Sequence, residues 1–153
     1  MLDAGGGTGR VAESLRGQAG SLVLADLSLQ MLKQAQKKGD LQTACSHTEY
    51  LPFPSDSFER IIMVDALHHV CDQPKTANEL WRVLKPGGRL VIEEPDIRTF
   101  SVKLIALAEK LALMRSHFLS PQAIVRLFPD KNARTRFERD GFNAWVVVDK
   151  VKS

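Results

Sequence analysis

Residues 1–10 limit the fold more than any other stretch. Leu2 ends an apolar run, Asp3 closes it, and Gly5, Gly6, Gly7 and Gly9 follow within five positions. Residues 11–15 then have helical character. A strand, a glycine turn and a helix form a ligand-binding arrangement. Glycine permits positive φ and lets the backbone approach a ligand with no Cβ in the way. The spacing is Gly5-x-Gly7-x-Gly9. It is not the dinucleotide fingerprint, which needs one more residue before its third glycine, and no Gly-Lys-Ser/Thr follows as a phosphate loop requires. Asp3 would repel a pyrophosphate but could accept hydrogen bonds from an ammonium group. The ligand implied is a zwitterion with an amino acid end.

The same pattern recurs along the chain. Residues 21–26 are a short apolar run ending in Asp26, seventeen positions past Gly9, where Rossmann-like folds place a carboxylate on ribose hydroxyls. Residues 41–46 read as a third strand, ending just before His47. Residues 58–65 read as a fourth, ending in Asp65 and running into Ala66-Leu-His-His-Val70. Ligands of α/β sheets sit outside the carboxyl ends of the strands, and Asp3, Asp26, His47 and Asp65 all fall at such ends. Ser28 caps a helix over residues 29–38, and residues 75–84 are amphipathic. Pro86, Gly87 and Gly88 stop that helix and turn the chain into a fifth strand. Ser120 and Pro121 open a short helix. Residues 133–139 and 142–148 form a hairpin around Asp140-Gly141.

Three stretches resemble S-adenosylmethionine-dependent methyltransferases of class I. Asp3-Ala-Gly-Gly-Gly-Thr-Gly9 looks like their first motif. The stretch from His47 to Phe58, with Leu51-Pro-Phe53, resembles one found in the ubiquinone/menaquinone type. Leu84-Lys-Pro-Gly-Gly-Arg-Leu90 matches a third, structural motif. The resemblance implies an α/β fold: a Rossmann-like, doubly wound, mostly parallel seven-stranded sheet, with helices on both faces and the last strand antiparallel. It implies S-adenosylmethionine as cofactor and S-adenosylhomocysteine as product. Asp3, Gly5 and Gly7 would serve the amino acid end and Asp26 the ribose. Leu27 would pack on the adenine, with Met31 lining the same pocket, and Thr48 would offer the ring its N–H. The family usually has Asp where His47 stands; His47 reads equally as an adenine contact and as an ordinary strand-end residue. The resemblance adds Asp65 to the cofactor residues and puts the Leu67-His-His-Val70 stretch after it beside the transferred methyl. The catalytic candidates are His68 and His69, read as packing, substrate hydrogen bonding or general base. Residues 100–118 are apolar around much of a helix and read as either core or a wall for an apolar acceptor.

One domain spans residues 1–153, and the resemblance implies one or two helices ahead of its first strand. The chain opens directly on that strand, so the expectation is a domain without its N-terminal cap, leaving a face that a second copy could cover. Net charge is +3 with dispersed Lys and Arg, which disfavours nucleic acid. Cys45 and Cys71 have no zinc spacing, so no metal is expected, and they suit a reducing, cytoplasmic location. No membrane span is visible. The expected activity is methyl transfer to a small-molecule acceptor, such as an apolar phenol or quinol. The alternatives are a non-catalytic S-adenosylmethionine-binding scaffold and, further off, an NAD(P)-dependent oxidoreductase.

Overall fold

The computed structural model describes residues 1–39, 41–99, 102–104, 106 and 116–152. Its strands are β1 (Leu2–Ala4), β2 (Val23–Asp26), β3 (Gln42–Cys45), β4 (Phe58–Val64), β5 (Leu84–Pro95), β6 (Ala133–Asp140) and β7 (Asn143–Lys150). Its helices are α1 (Arg10–Leu15), α2 (Leu29–Gln36), α3 (Gln73–Val83) and α4 (Pro121–Val125), with a 3-10 turn at Leu67–His69. One sheet holds all seven strands in the order β3-β2-β1-β4-β5-β7-β6. The first five are parallel, and β7 runs antiparallel to both β5 and β6. The chain winds one way through β1, β2 and β3, then resumes with β4 on the other side of β1. That reversal opens a crevice at the carboxyl ends of β1 and β4.

Side-chain alternation divides the sheet between two cores. Leu2, Ala4, Ala25, Ile61, Met63, Leu90, Ile92, Val146 and Val148 face α3 and α4. Leu24 and Leu22 face the other way, with Ala12 of α1 and Leu32 and Ala35 of α2. Thr76, Ala77, Leu80 and Val83 form the buried stripe of α3. That helix begins two residues earlier than the sequence pattern suggests, because the Asp72 side chain accepts from Lys75 N–H and Pro74 fits the first turn. Leu84 is not its last residue but already extended, paired with Phe58. The next pair is Arg60 with Arg89, so Lys85-Pro-Gly-Gly88 is looped out between two ladder positions, with Gly87 at φ 83°. The hairpin loop is Gly141-Phe142 rather than Asp140-Gly141, since Asp140 pairs with Asn143. Gly141 takes the positive φ its first loop position needs.

The end of α3 is held by a side chain of β7, on the same face as Val146 and Val148. Lys150 Nζ donates to the carbonyls of Trp81 (3.0 Å) and Leu84 (2.7 Å) and to Asp56 Oδ1 (2.9 Å). These carbonyls have no helical partners, and a cation there also meets the negative end of the helix dipole. Of residues 100–118, Val102 is buried and Leu104 exposed, and residues 102–104 are helical. Residues 116–118, expected in the same helix, are not helical, and Ile105, Leu107, Ala108, Leu111, Ala112, Leu113 and Met114 of the proposed acceptor wall lie outside the described residues. Lys150→Met is expected to lower stability by about 2 kcal/mol, the scale of a charge-assisted hydrogen bond. Urea denaturation checks this; an unchanged midpoint would remove Lys150 from the support of α3.

Candidate functional site

The glycine turn is shaped by close backbone packing. Gly5 and Gly6 N–H both reach Ala25 C=O, at 2.7 and 3.3 Å, which pulls the turn over the end of β2. Gly5 has φ 71°, and a Cβ there would lie 2.7 Å from Ala66 Cβ. Only glycine fits that contact. The turn after β1 therefore meets the turn after β4 at the point where the strand order reverses.

A cavity of about 420 Å³ opens above this junction, a size usual for ligand sites. Its lining unites Gly5 and Gly7 of the first turn, Asp26, Leu27 and Met31 after β2, His47 and Thr48 after β3, and Asp65 and His69 after β4. Eight of the nine residues expected to hold the cofactor are thus brought together. Asp3 stands apart. Alternation turns its side chain toward the second core, beneath Gly6 and close to Leu24, where it is buried and its Oδ2 has no hydrogen-bond partner among the described residues. Burial pushes its carboxyl up to about 6; the Ala12 N–H works against this and nearby Asp26 adds to it.

Asp26 is fixed at both oxygens. Gly7 N–H donates to Oδ2 at 2.9 Å and Ser28 N–H to Oδ1 at 2.8 Å. Carboxylate oxygens have further lone pairs, so Asp26 can still accept from a ligand. Beside it Leu27 and Met31 are 56% and 44% exposed, large apolar side chains held at the cavity surface. A fixed acid next to exposed apolar side chains suits a nucleoside: hydroxyls for the carboxylate and a flat ring for Leu27 and Met31. The positive-φ Gly5 and Gly7 leave the adjoining wall without side chains. These features fit S-adenosylmethionine.

The histidine turn is held by a residue the sequence did not single out. Glu94 is buried at the end of β5. Its Oε1 accepts from Ala66 N–H (2.9 Å) and Leu67 N–H (2.7 Å), and its Oε2 meets His68 Nδ1 at 2.5 Å. His68 is buried, and Phe118 stacks on it with ring centres 4.4 Å apart. His68 is thereby a positioning residue and is not part of the lining, whereas exposed His69 is, with Ser116 Oγ 3.3 Å from its Nδ1. Asp65 adopts φ 51° and lies 3.9 Å from Arg10, both well exposed, so their ion pair is weak. Ser46, Glu49, Met63, Ala66, Val70 and Cys71 complete the lining. Glu49 is buried and accepts from Cys71 N–H (3.1 Å) and Asp72 N–H (3.3 Å), tying the end of β3 to the start of α3. It lies within the stretch after His47, but its pattern gives no sign of burial.

A seven-stranded, mostly parallel sheet with a ligand cavity at its strand-order reversal is the architecture of the Rossmann-like methyltransferases, and the comparisons agree. The family profile described as "Methyltransferase domain" matches residues 2–92. The chain belongs to this family, whose cofactor is S-adenosylmethionine. It is 38% identical over 104 residues to the ubiquinone/menaquinone biosynthesis C-methyltransferase UbiE of Escherichia coli, a match covering 61% of the chain and 41% of that protein. The chain thus spans about two-fifths of the length of the curated relatives it matches. A SAM-dependent methyltransferase of Thermotoga maritima superposes with a TM-score of 0.84 at 22% identity, covering 97% of this chain and 80% of that one. Geranyl diphosphate C-methyltransferase of Streptomyces coelicolor, solved with Mg2+, geranyl diphosphate and S-adenosyl-L-homocysteine, gives 0.78 at 17% identity, covering 98% and 70%. At these identities the two structures bear on the fold alone. No helix among the described residues is long and apolar enough to cross a membrane, and none of their His, Cys, Asp and Glu cluster as a metal site.

The buried Asp3 makes stability depend on pH. Its folded value of about 6 lies above the ordinary 3.8, so the folded chain binds the proton more tightly. That contribution is present below about pH 4 and is lost as pH rises through 6, on the order of 3 kcal/mol by neutrality. Asp3→Asn is expected to gain stability over wild type progressively from pH 4 to 7, by denaturant titration at each pH. A difference constant with pH would mean that the carboxyl titrates normally.

Proposed function

We propose that the chain transfers the methyl group of S-adenosylmethionine to a small, apolar acceptor of phenol or quinol type. The reading rests chiefly on the convergence of four strand ends on one cavity, with Asp26, Leu27 and Met31 on one side and His69, Met63 and Val70 on the other. The acceptor class draws support from the apolar side chains around His69 and from the quinone-pathway activity in the name of the E. coli relative.

Bound S-adenosylmethionine supplies an electrophilic methyl group with its own leaving group, so the protein's part is placement and exclusion of water. Gly5 and Gly7 would face its amino acid end, and Asp26 would accept from the ribose hydroxyls. Leu27 and Met31 would cover the adenine, with His47 and the Thr48 N–H at its edge. Asp65, beside His69, would border the methyl. An oxygen acceptor must lose its proton, and His69 at the lining would take it, with Ser116 Oγ 3.3 Å from its Nδ1 to orient the ring. Asp3 would act at a distance, beneath the turn.

Calorimetric titration with S-adenosylhomocysteine, with NAD as control, tests the cofactor. Asp26→Asn is expected to weaken that binding about tenfold or more, since it gives up charge-assisted hydrogen bonds. Equal affinity in a folded variant would remove Asp26 from the site. Turnover with labelled methyl donor across phenols and quinols tests the acceptor. His69→Ala is expected to lower turnover while leaving S-adenosylhomocysteine affinity unchanged. Cofactor binding without transfer to any of them would favour a scaffold.

A further inference from the structure

Among the described residues nothing pairs with the outer side of β6, which ends the sheet. The strand is eight residues long, contains no proline, and is exposed from Arg136 to Asp140. Such an edge is a template for another strand unless something blocks it. Its backbone phase is fixed by β7. Val151 N–H donates to Asn132 C=O at 2.9 Å, and the two-residue loop makes Asp140 and Asn143 a hydrogen-bonded pair. Even-numbered residues of β6 therefore use their N–H and C=O on β7. Thr135, Phe137 and Arg139 direct theirs outward, whereas the Ala133 N–H is taken by Asp130 C=O at 2.9 Å.

Two copies pairing antiparallel through this edge share a two-fold axis, which must fall on one residue of the strand. Placed on Arg136 or Arg139, the axis sets that arginine against itself, and on Glu138 it sets two carboxylates together. On Thr135 it opposes Arg134 to Arg136. Placed on Phe137, the four charges of one face meet their opposites: Arg136, which also holds Asp149 of its own chain at 2.9 Å, faces Glu138 of the second copy, and Arg134 faces Asp140, while Arg139 on the other face meets Thr135. Phe137, on an outward-bonding position, then meets its own copy in a hydrogen-bonded pair. Its ring is 37% exposed and borders a groove of about 510 Å³ with Val125 and Arg126 beside α4. Aromatic pairs across neighbouring strands and opposite charges facing each other both stabilise a sheet.

We infer that β6 is a homodimerisation edge, pairing antiparallel with β6 of a second copy about a two-fold axis at Phe137 and joining two sheets into one. Main-chain hydrogen bonds give the pairing, and the Arg136–Glu138 and Arg134–Asp140 pairs select its register. The proposal is independent of the methyl-transfer reading, since the cavity lies over β1 to β4.

Sedimentation velocity over a concentration series tests it, the chain itself being 17.0 kDa. Wild type is expected to reach twice that mass. Glu138→Arg sets two arginines face to face and is expected to weaken the dimer about tenfold or more. Combining it with Arg136→Glu exchanges the two charges across the axis and is expected to restore the dimer. Thr135→Pro removes an outward N–H that β7 does not use, so it is expected to give a monomer with its far-UV dichroism retained. A wild type that stays monomeric throughout overturns the proposal. So does a dimer indifferent to Glu138→Arg and Thr135→Pro, or a folded charge-exchanged variant that stays monomeric.

Discussion

The close approach of Gly5 to Ala66 is the contact on which the rest of the site depends. A parallel sheet that reverses its winding leaves two neighbouring strand ends whose chains depart to opposite faces. The turns that follow β1 and β4 must pass each other there. A side chain at residue 5 would collide with Ala66 and also require positive φ of a residue with a Cβ, so both demands select glycine. With the turns in contact, Ala25 C=O can accept from Gly5 and Gly6, and Asp26 can take Gly7 N–H. The acid that ends β2 is thereby joined to the turn after β1 before any ligand is present. Hydrogen bonds made in advance reduce the ordering cost of binding.

The opposite wall is built on a different principle. Ala66 and Leu67 begin a 3-10 turn whose N–H groups have no partners within it, and burial would leave them unsatisfied. Glu94 answers that need with one oxygen and holds His68 with the other. His68 in turn bears Phe118, and its carbonyl accepts from His117 N–H at 2.7 Å. Gln73 at the start of α3 donates to both Leu67 C=O and His117 C=O. A chain of polar contacts, buried at Glu94 and His68, thus runs from β5 through the histidine turn to residues 116–118. His69 reaches the cavity because its neighbour is fully committed to structure.

These two walls explain what was legible in the sequence. The glycines, Asp26, Leu27, His47, Thr48 and Asp65 were readable because each sits at the carboxyl end of a strand, and strand ends follow from apolar runs and turn residues. Even the division of labour between His68 and His69 follows from adjacency, though not which of them faces inward. Glu94 was not readable. It lies within the fifth strand's own pattern, where an acid beside Glu93 looks like solvent exposure, and its partners are twenty-six to twenty-eight residues away. Asp3 shows the opposite failure: the motif suggested a ligand contact, while strand alternation places its side chain under the turn. The start of α3 and the hairpin loop each moved by one or two residues, because a cap and a glycine φ decided them locally.

The two halves of the sheet differ in what they ask of their side chains. In the parallel half, β1 and β2 are covered on both faces, so their residues are small or aliphatic and Asp3 is an expensive exception. In the antiparallel half, β7 alternates buried Ala144, Val146 and Val148 with more exposed Trp145, Val147 and Asp149. Strand β6 goes further: among the described residues one face packs beside α4, and every second residue, on the other face, is charged. A strand whose polar face carries Arg134, Arg136, Glu138 and Asp140 in that order has two positive residues followed by two negative ones. Such a sequence is complementary to its own reverse. The same alternation that keeps a lone edge soluble can therefore specify its pairing partner, and the register is set by charge order rather than by apolar area.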